Sequence, residues 1–328
     1  MGELDWRLFS APGGALCGLL VLLFAGSPQQ AWSAGCAKAW PPGGPDVHRA
    51  PACIGLAVGN DPAAFAKALA WSGGAVTAVT VFVGQRSWSD FEGGAAYEVN
   101  LWRSRPETKF WSIPLIVKGA KLSDAGAGAY NSHYAATARM LAAASPEGPI
   151  FVRTGWEFNG GWMPWSAIHD PGDFRLAYRQ FVRSFRQVSD RFVFTWAANI
   201  GEVGLDPALG YPGDDVVDII GMDFYQQPHD PAGASNAWTY MIARPHGLQW
   251  LEDFAAAHHK PSAYPEWGVR GDDAGPYIAA AGRWFAQHPV AYESYWDSND
   301  AYRGKLSDGR RPHAGMAYVT AVHALAIH

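Results

Sequence analysis

A chain of 328 residues, 17% charged and 48% apolar, has the composition of a folded globular protein and excludes an extended disordered one. Its formal charge of -5 provides no basic face for a polyanion, which removes nucleic acid from the partners to consider. Aromatic residues are abundant, with 16 Trp, 13 Tyr and 16 Phe, and several stand beside glycine and proline, where chains make loops.

Residues 1–34 are expected to lie outside the fold. Arg7 precedes the apolar run of residues 15–25, and small residues follow around Ser33-Ala34. This is the layout of a signal peptide, or of an N-terminal hydrophobic segment kept as an anchor, and the run is short for a membrane span. The chain is therefore expected to be secreted or periplasmic, with no stable membrane association once the segment is removed. Residues 35–52 form a Pro-rich arm and residues 53–328 a single domain. Loss of the leader takes Cys17 and leaves Cys36 and Cys53 flanking the Pro-rich stretch. In an oxidising compartment such a pair is predicted to form a disulfide; in a reducing one it would stay as two thiols.

From Cys53 onward the pattern is strand, polar turn, helix. Residues 53–58 read as the first strand, and Asp61-Pro62 opens a helix reaching residue 69. The second strand, 76–83, ends in the loop Gly84-Gln85-Arg86-Ser87-Trp88. The third is placed at 113–117, with a helix at 130–144 beyond it. Strand four is 150–154, followed by a helix at 171–188, and strand five is 192–196, with Asn199 just past it. Strand six, 217–222, runs into Asp223-Phe224-Tyr225. A helix at 248–258 precedes strand seven, 262–264, which continues into Pro265-Glu266-Trp267-Gly268. A helix at 277–287 and strand eight at 290–296 complete the series. Trp88, Trp238 and Tyr302 are read as loop residues.

Eight strands alternating with helices, without a linker or a shift in composition, predict a single (β/α)8 TIM barrel, for which ~250 residues suffice. A doubly wound sheet alternates similarly, but no Gly-x-Gly-x-x-Gly turn follows the first strand to hold a dinucleotide. In a barrel the chemistry gathers at the carboxyl ends of the strands. Trp88, Glu157, Asn199, Asp223, Tyr225, Glu266 and Trp296 all fall there.

The richest stretch follows strand four: Arg153-Thr-Gly-Trp-Glu-Phe-Asn-Gly-Gly-Trp-Met-Pro-Trp165. It sets one carboxylate among three indoles. Apolar faces of sugar rings stack on aromatics, and a carboxyl with a raised pKa protonates a leaving oxygen. Glu157 alone reads more readily as a solvated or salt-bridged surface acid. The pattern sharpens with Glu266 at the end of strand seven, since strands four and seven face each other across a barrel mouth and two carboxyls can then flank one bond. Metal chemistry has no His-Glu-x-x-His spacing and serine chemistry no Gly-x-Ser-x-Gly elbow, so neither metal nor cofactor is expected.

These motifs carry a family resemblance. Arg153-x-Gly-Trp-Glu-Phe-Asn-Gly-x-Trp162 with Pro164-Trp165, then Asp223-x-Tyr225, then Pro265-Glu266-Trp267-Gly268, resembles glycoside hydrolase family 26 and, more loosely, the clan of retaining (β/α)8 glycosidases, over about residues 50–325. The resemblance implies that Glu157 is the general acid/base and Glu266 the nucleophile, that Tyr225 hydrogen-bonds the nucleophile, and that Trp296 floors the subsite of the distorted sugar. Arg153, Trp156, Asn159, Trp162, Trp165, Asp223 and Trp267 complete the expected substrate-binding set. Within it Trp162 and Trp165 read as stacking or packing residues, Asn159 as sugar donor or turn residue, and Asp223 as a brace or a partner for Arg153. Mannan-cleaving members carry a histidine directly before the acid/base, where this chain has Trp156. The function implied is an exported retaining endo-β-glycosidase acting on a β-linked polysaccharide such as mannan, β-glucan or a bacterial exopolysaccharide. The reading from another class is a glycan-binding barrel in polysaccharide assembly or export, for which paired glutamates have no use.

Overall fold

In the computed structural model, which describes Cys36 and residues 53–327, eight parallel strands pair in chain order and close into a barrel. They are β1 (Cys53–Ala57), β2 (Ala78–Phe82), β3 (Thr108–Ile113), β4 (Ile150–Thr154), β5 (Phe192–Asn199), β6 (Ile219–Tyr225), β7 (Ser262–Gly268) and β8 (Val290–Trp296). The surrounding helices are α1 (Pro62–Trp71), α2 (Trp88–Leu101), α3 (Leu122–Gly126), α4 (Asn131–Ala144), α5 (Pro171–Arg186), α6 (Ala234–Ala243), α7 (Leu248–Ala257), α8 (Gly275–Gln287) and α9 (Pro312–Ile327). The expected leader, and the expected arm apart from Cys36, lie outside the described residues.

Side chains of a strand alternate between the lumen and the helix layer. At the amino end of the lumen each strand contributes one residue to a closed plug: Cys53, Ala78, Phe110, Phe151, Val193, Ile219, Ala263 and Tyr292. Tyr292 stacks on Phe110 with ring centres 4.2 Å apart, and its hydroxyl donates to Thr195 Oγ1 at 3.0 Å. The larger core fills the space between strands and helices. With one end of the lumen sealed by hydrocarbon, the polar inward residues gather toward the other.

The disulfide links Cys36 to Cys53 with Cα atoms 5.4 Å apart, fastening Cys36 onto the plug. Such a link stabilises mainly by shortening the unfolded chain's accessible states.

Several elements differ from the sequence reading, which placed no helix at α2, α3, α6 or α9. β3 lies at Thr108–Ile113, upstream of the expected 113–117, because Pro114 has no N–H to extend the ladder; Leu115, Ile116 and Val117 are instead a buried loop. Trp88 opens helix α2, with Ser87 as N-cap accepting from the Asp90 N–H. The pair Gly93-Gly94 weakens the helical signal of that segment. Trp238 is buried in α6, and Tyr302 is a buried loop residue whose hydroxyl donates to the Gln226 carbonyl.

Behind the barrel wall, Glu293 of β8 is fully buried. One carboxyl oxygen accepts the Trp267 indole N–H, while the other has no hydrogen-bond partner. Burial pushes this carboxyl up to about 8 from its ordinary 4.5, against the pull of the Trp267 hydrogen bond. A folded-state pKa above the unfolded one contributes stability that is present at low pH and lost as pH rises through the folded value. Glu293→Gln is therefore expected to gain stability relative to the parent as pH rises from about 4.5 to about 8, with a slope no steeper than about 1.4 kcal/mol per pH unit. Urea unfolding across that range measures it. Independently, Cys36→Ser is expected to lose about 3 kcal/mol in guanidinium unfolding, with reductant destabilising the parent but not the variant.

Candidate active site

The chain leaves β4 through a constrained turn. Gly155 has φ +62, and a Cβ there would lie 2.9 Å from the Phe174 ring, so only glycine fits. Two residues later Glu157 adopts φ 52, in the left-handed region that costs a side-chain-bearing residue about 1–2 kcal/mol. The turn is held because the Glu157 N–H donates to the Ala197 carbonyl of β5 at 3.0 Å. Strain of this kind, kept at a carboxylate by surrounding structure, is a mark of functional positions.

The Glu157 carboxyl is gripped on both oxygens. Asn199 Nδ2 donates to Oε1 at 2.6 Å, and the Trp162 indole N–H donates to Oε2 at 2.6 Å. Asn199 is itself fixed by Asn159, whose side chain accepts the Asn199 N–H at 2.8 Å and donates to the Asn199 carbonyl at 2.9 Å. Beneath the loop, the Trp165 indole donates to the Trp156 carbonyl at 2.7 Å and packs against the Trp156 ring at 4.4 Å.

Glu266 reaches the lumen through an irregularity in β7. Ala263 faces the plug and Tyr264 the helix layer, so regular alternation would turn Glu266 outward. The register shifts against both neighbouring strands around Pro265, whose missing N–H favours such a bulge. Gly221 of β6 accommodates it, since a Cβ there would lie 3.1 Å from the proline ring. Glu266 consequently turns inward and Trp267 outward.

Arg153 of β4 ties the carboxylates together. Its guanidinium donates to both oxygens of Asp223 at 3.0 and 2.8 Å, to Ser112 Oγ at 3.1 and 2.9 Å, and to Glu266 Oε1. The other Glu266 oxygen accepts the Tyr225 hydroxyl at 2.6 Å. The rings of Trp156 and Phe82 cover the guanidinium at 5.1 and 5.7 Å. Burial works against the Arg153 charge, but Asp223 and Glu266 outweigh it and hold its pKa above the ordinary value. Burial drives the Asp223 carboxyl upward while the charge and hydrogen bonds of Arg153 oppose it; the guanidinium itself keeps its proton.

Glu157 keeps a solvent-accessible edge yet lies deep enough for burial to raise its pKa. The negative charge of Glu266 adds to the rise, while the bonds from Trp162 and Asn199 and the charge of Arg153 oppose it. Two carboxyls thus meet at the barrel mouth in different surroundings, an arrangement suited to dividing acid and nucleophilic roles.

The expected substrate-binding residues separate by exposure. Trp162 is 53% exposed, and Tyr225 and Trp296 are half-buried. Trp296 lies against Phe82 at 5.8 Å and donates to the Tyr302 carbonyl at 3.1 Å. Trp165, Asn159 and Asp223 are fully buried and have no surface with which to touch a substrate, while Arg153 and Trp267 keep only 2%. The first three and Arg153 brace the site from below. Trp267, turned outward by the bulge, stacks on Phe224 at 5.9 Å. Trp156, 5% exposed, acts chiefly as packing between Phe82, Trp165 and Arg153. Asn199, Ser112 and Phe82 were not assigned site roles from sequence. Of these Asn199 had a readable signal, as a carboxamide at the end of a buried strand.

Comparison with known proteins agrees with this architecture. The family model for glycosyl hydrolase family 26 matches residues 118–257. A mannan endo-1,4-beta-mannosidase of Bifidobacterium adolescentis is 33% identical over 129 residues, which is 38% of this chain and 13% of that protein's length. Among solved structures, the catalytic domain of a family 26 endo-β-1,4-mannanase from Bacillus sp. JAMB-750 superposes with TM-score 0.62 at 15% identity, covering 90% of this chain and 89% of that one. A family 26 β-mannanase from Bacteroides ovatus gives TM-score 0.58 at 14% identity, covering 91% and 93%. The structural likenesses establish a shared (β/α)8 fold.

Removing the guanidinium would leave buried carboxylates without their partner. Arg153→Met is expected to destabilise the fold by about 3–5 kcal/mol, measured by chemical unfolding at pH 7. Arg153→Lys should recover only part of this, because an ammonium cannot reproduce the planar fork that holds Asp223, Glu266 and Ser112 at once.

Proposed function

We propose that this family 26-like barrel is an exported retaining endo-β-glycosidase, with β-linked mannan as the first substrate to test. The observation that carries the reading is the pair of glutamates at the barrel mouth. One is strained, gripped by Asn199 and Trp162 and raised in pKa; the other is oriented by Tyr225 and Arg153. The names of the similar proteins support mannan, and the Cys36–Cys53 link supports an oxidising compartment, secreted or periplasmic.

The steps follow from the division of surroundings. Protonated Glu157 gives its proton to the glycosidic oxygen as the bond from that oxygen to the anomeric carbon breaks. A carboxylate oxygen of Glu266 bonds to the same carbon, forming a glycosyl ester. Glu157, now ionised, takes a proton from water while the water oxygen attacks the anomeric carbon and releases Glu266. Two inversions return the original configuration. Trp296 provides an aromatic floor, and contacts to sugars away from the cleaved bond supply energy for distorting the reacting ring.

Incubation with carob galactomannan, mixed-linkage β-glucan and a bacterial exopolysaccharide, with products read by mass and proton NMR, tests the proposal. The expected result is internal cleavage of mannan with the β-anomer appearing first. Glu157→Gln and Glu266→Gln should each lower kcat by roughly 10²-fold or more. Glycan binding by the parent with no product from any of the three polysaccharides would overturn the reading in favour of a binding barrel.

A further inference from the structure

Trp162 departs from its neighbours. Trp156 and Trp165 are buried, whereas Trp162 is 53% exposed although its N–H is committed to Glu157 at 2.6 Å. Its ring lies over Gly160, where an added Cβ would come within 2.2 Å of the indole. With Asn199 on Oε1 and Trp162 on Oε2, both carboxyl oxygens accept from N–H donors. That arrangement favours the ionised form, and it occupies the oxygen that would carry a proton to a substrate. The two donors differ in freedom. Asn199 is clamped by Asn159, while Trp162 stands in solvent just after Gly160-Gly161.

We propose that Trp162 is a positioning residue that switches Glu157 between its duties as base and as acid. In the free protein its N–H occupies Oε2; a sugar entering on the leaving-group side displaces the indole, and Oε2 is then free to hold the proton it delivers. After the leaving group departs the indole returns and steadies the carboxylate that activates water. The switch rests on the proposed double displacement, but the contact it turns on exists without substrate. The other charged or titratable groups acting on Glu157 are Arg153 from β4, Asp223 and Tyr225 from β6 and Glu266 from β7, and all of them are unchanged when Trp162 is altered. Burial and Glu266 push the Glu157 carboxyl up, and the Trp162 bond pulls the other way.

Trp162→Phe keeps a flat ring and removes the N–H. Gly160→Ala keeps the indole and pushes it off Glu157. Carboxyl-carbon NMR titration of free, glutamate-labelled protein, with the Glu157 signal assigned by its loss in Glu157→Gln, should show the Glu157 midpoint rising by roughly one pH unit in both variants. On carob galactomannan, the basic limb of kcat/KM reports the free enzyme and should rise by the same amount in Trp162→Phe, whereas the limb of kcat reports the complex and should stay. An unmoved NMR midpoint in both variants overturns the proposal. So does a kcat limb that shifts together with kcat/KM, which would mean that the indole never leaves. If the parent cleaves none of the test polysaccharides, the hydrolase reading fails, and the NMR arm still decides whether Trp162 controls Glu157.

Discussion

The site depends on one buried cation. Arg153 reaches from β4 to Ser112 on β3, Asp223 on β6 and Glu266 on β7, so a single side chain spans four strands of the barrel. Asp223 and Glu266 bring two negative charges against its one. Adding an ionised Glu157 to this buried group would be costly, because like charges in a poorly solvated cleft repel strongly. The excess is relieved when Glu157 holds a proton, so the arrangement that anchors Glu266 also favours a protonated Glu157. A buried ion network of this kind is weak evidence for stability, since hydrocarbon of similar volume often does as well. Its value here lies in orientation.

Local distortions of the frame serve the same end. Glu157 sits in a left-handed backbone conformation, and Glu266 owes its inward direction to a bulge at Pro265. Each departs from regular geometry at the residue bearing the carboxylate, and each is held by close packing. Gly155 admits Phe174, and Gly221 admits Pro265. The buried indoles of Trp156 and Trp165 fill the space beneath, so the turn that carries Glu157 cannot relax without opening a cavity. Both distortions are thus carried on a closed barrel whose lumen is plugged at its other end.

Much of this was legible in the sequence, and the parts that were not share a cause. The ends of β4 and β8 followed from apolar runs broken by polar residues, and Glu157 and Glu266 stood out as acids at strand ends beside tryptophan. Composition could not say which face a side chain takes. Trp165 could be read as stacking or packing, and Trp267 as part of the substrate-binding set; both are buried, the second because a bulge reversed its direction. β3 was misplaced because an apolar stretch past Pro114 packs as well in a loop as in a strand. Asn159 and Asp223 act through other residues, and contacts across 40 and 70 positions leave no local pattern.

Trp156 stands where the family resemblance implies a histidine. A histidine directly before Glu157 would bring a group that titrates near neutral pH beside that carboxyl. The indole cannot titrate. It lies over Arg153 at 5.1 Å, an attraction worth about 0.5–2 kcal/mol, and its bulk is seated by Phe82 and Trp165. The charge on Glu157 is then governed by burial, Glu266, Arg153 and two hydrogen-bond donors, with no imidazole among the groups acting on it. Control that would pass to a neighbouring histidine falls instead on the one donor exposed enough to move, and that donor is the indole of Trp162.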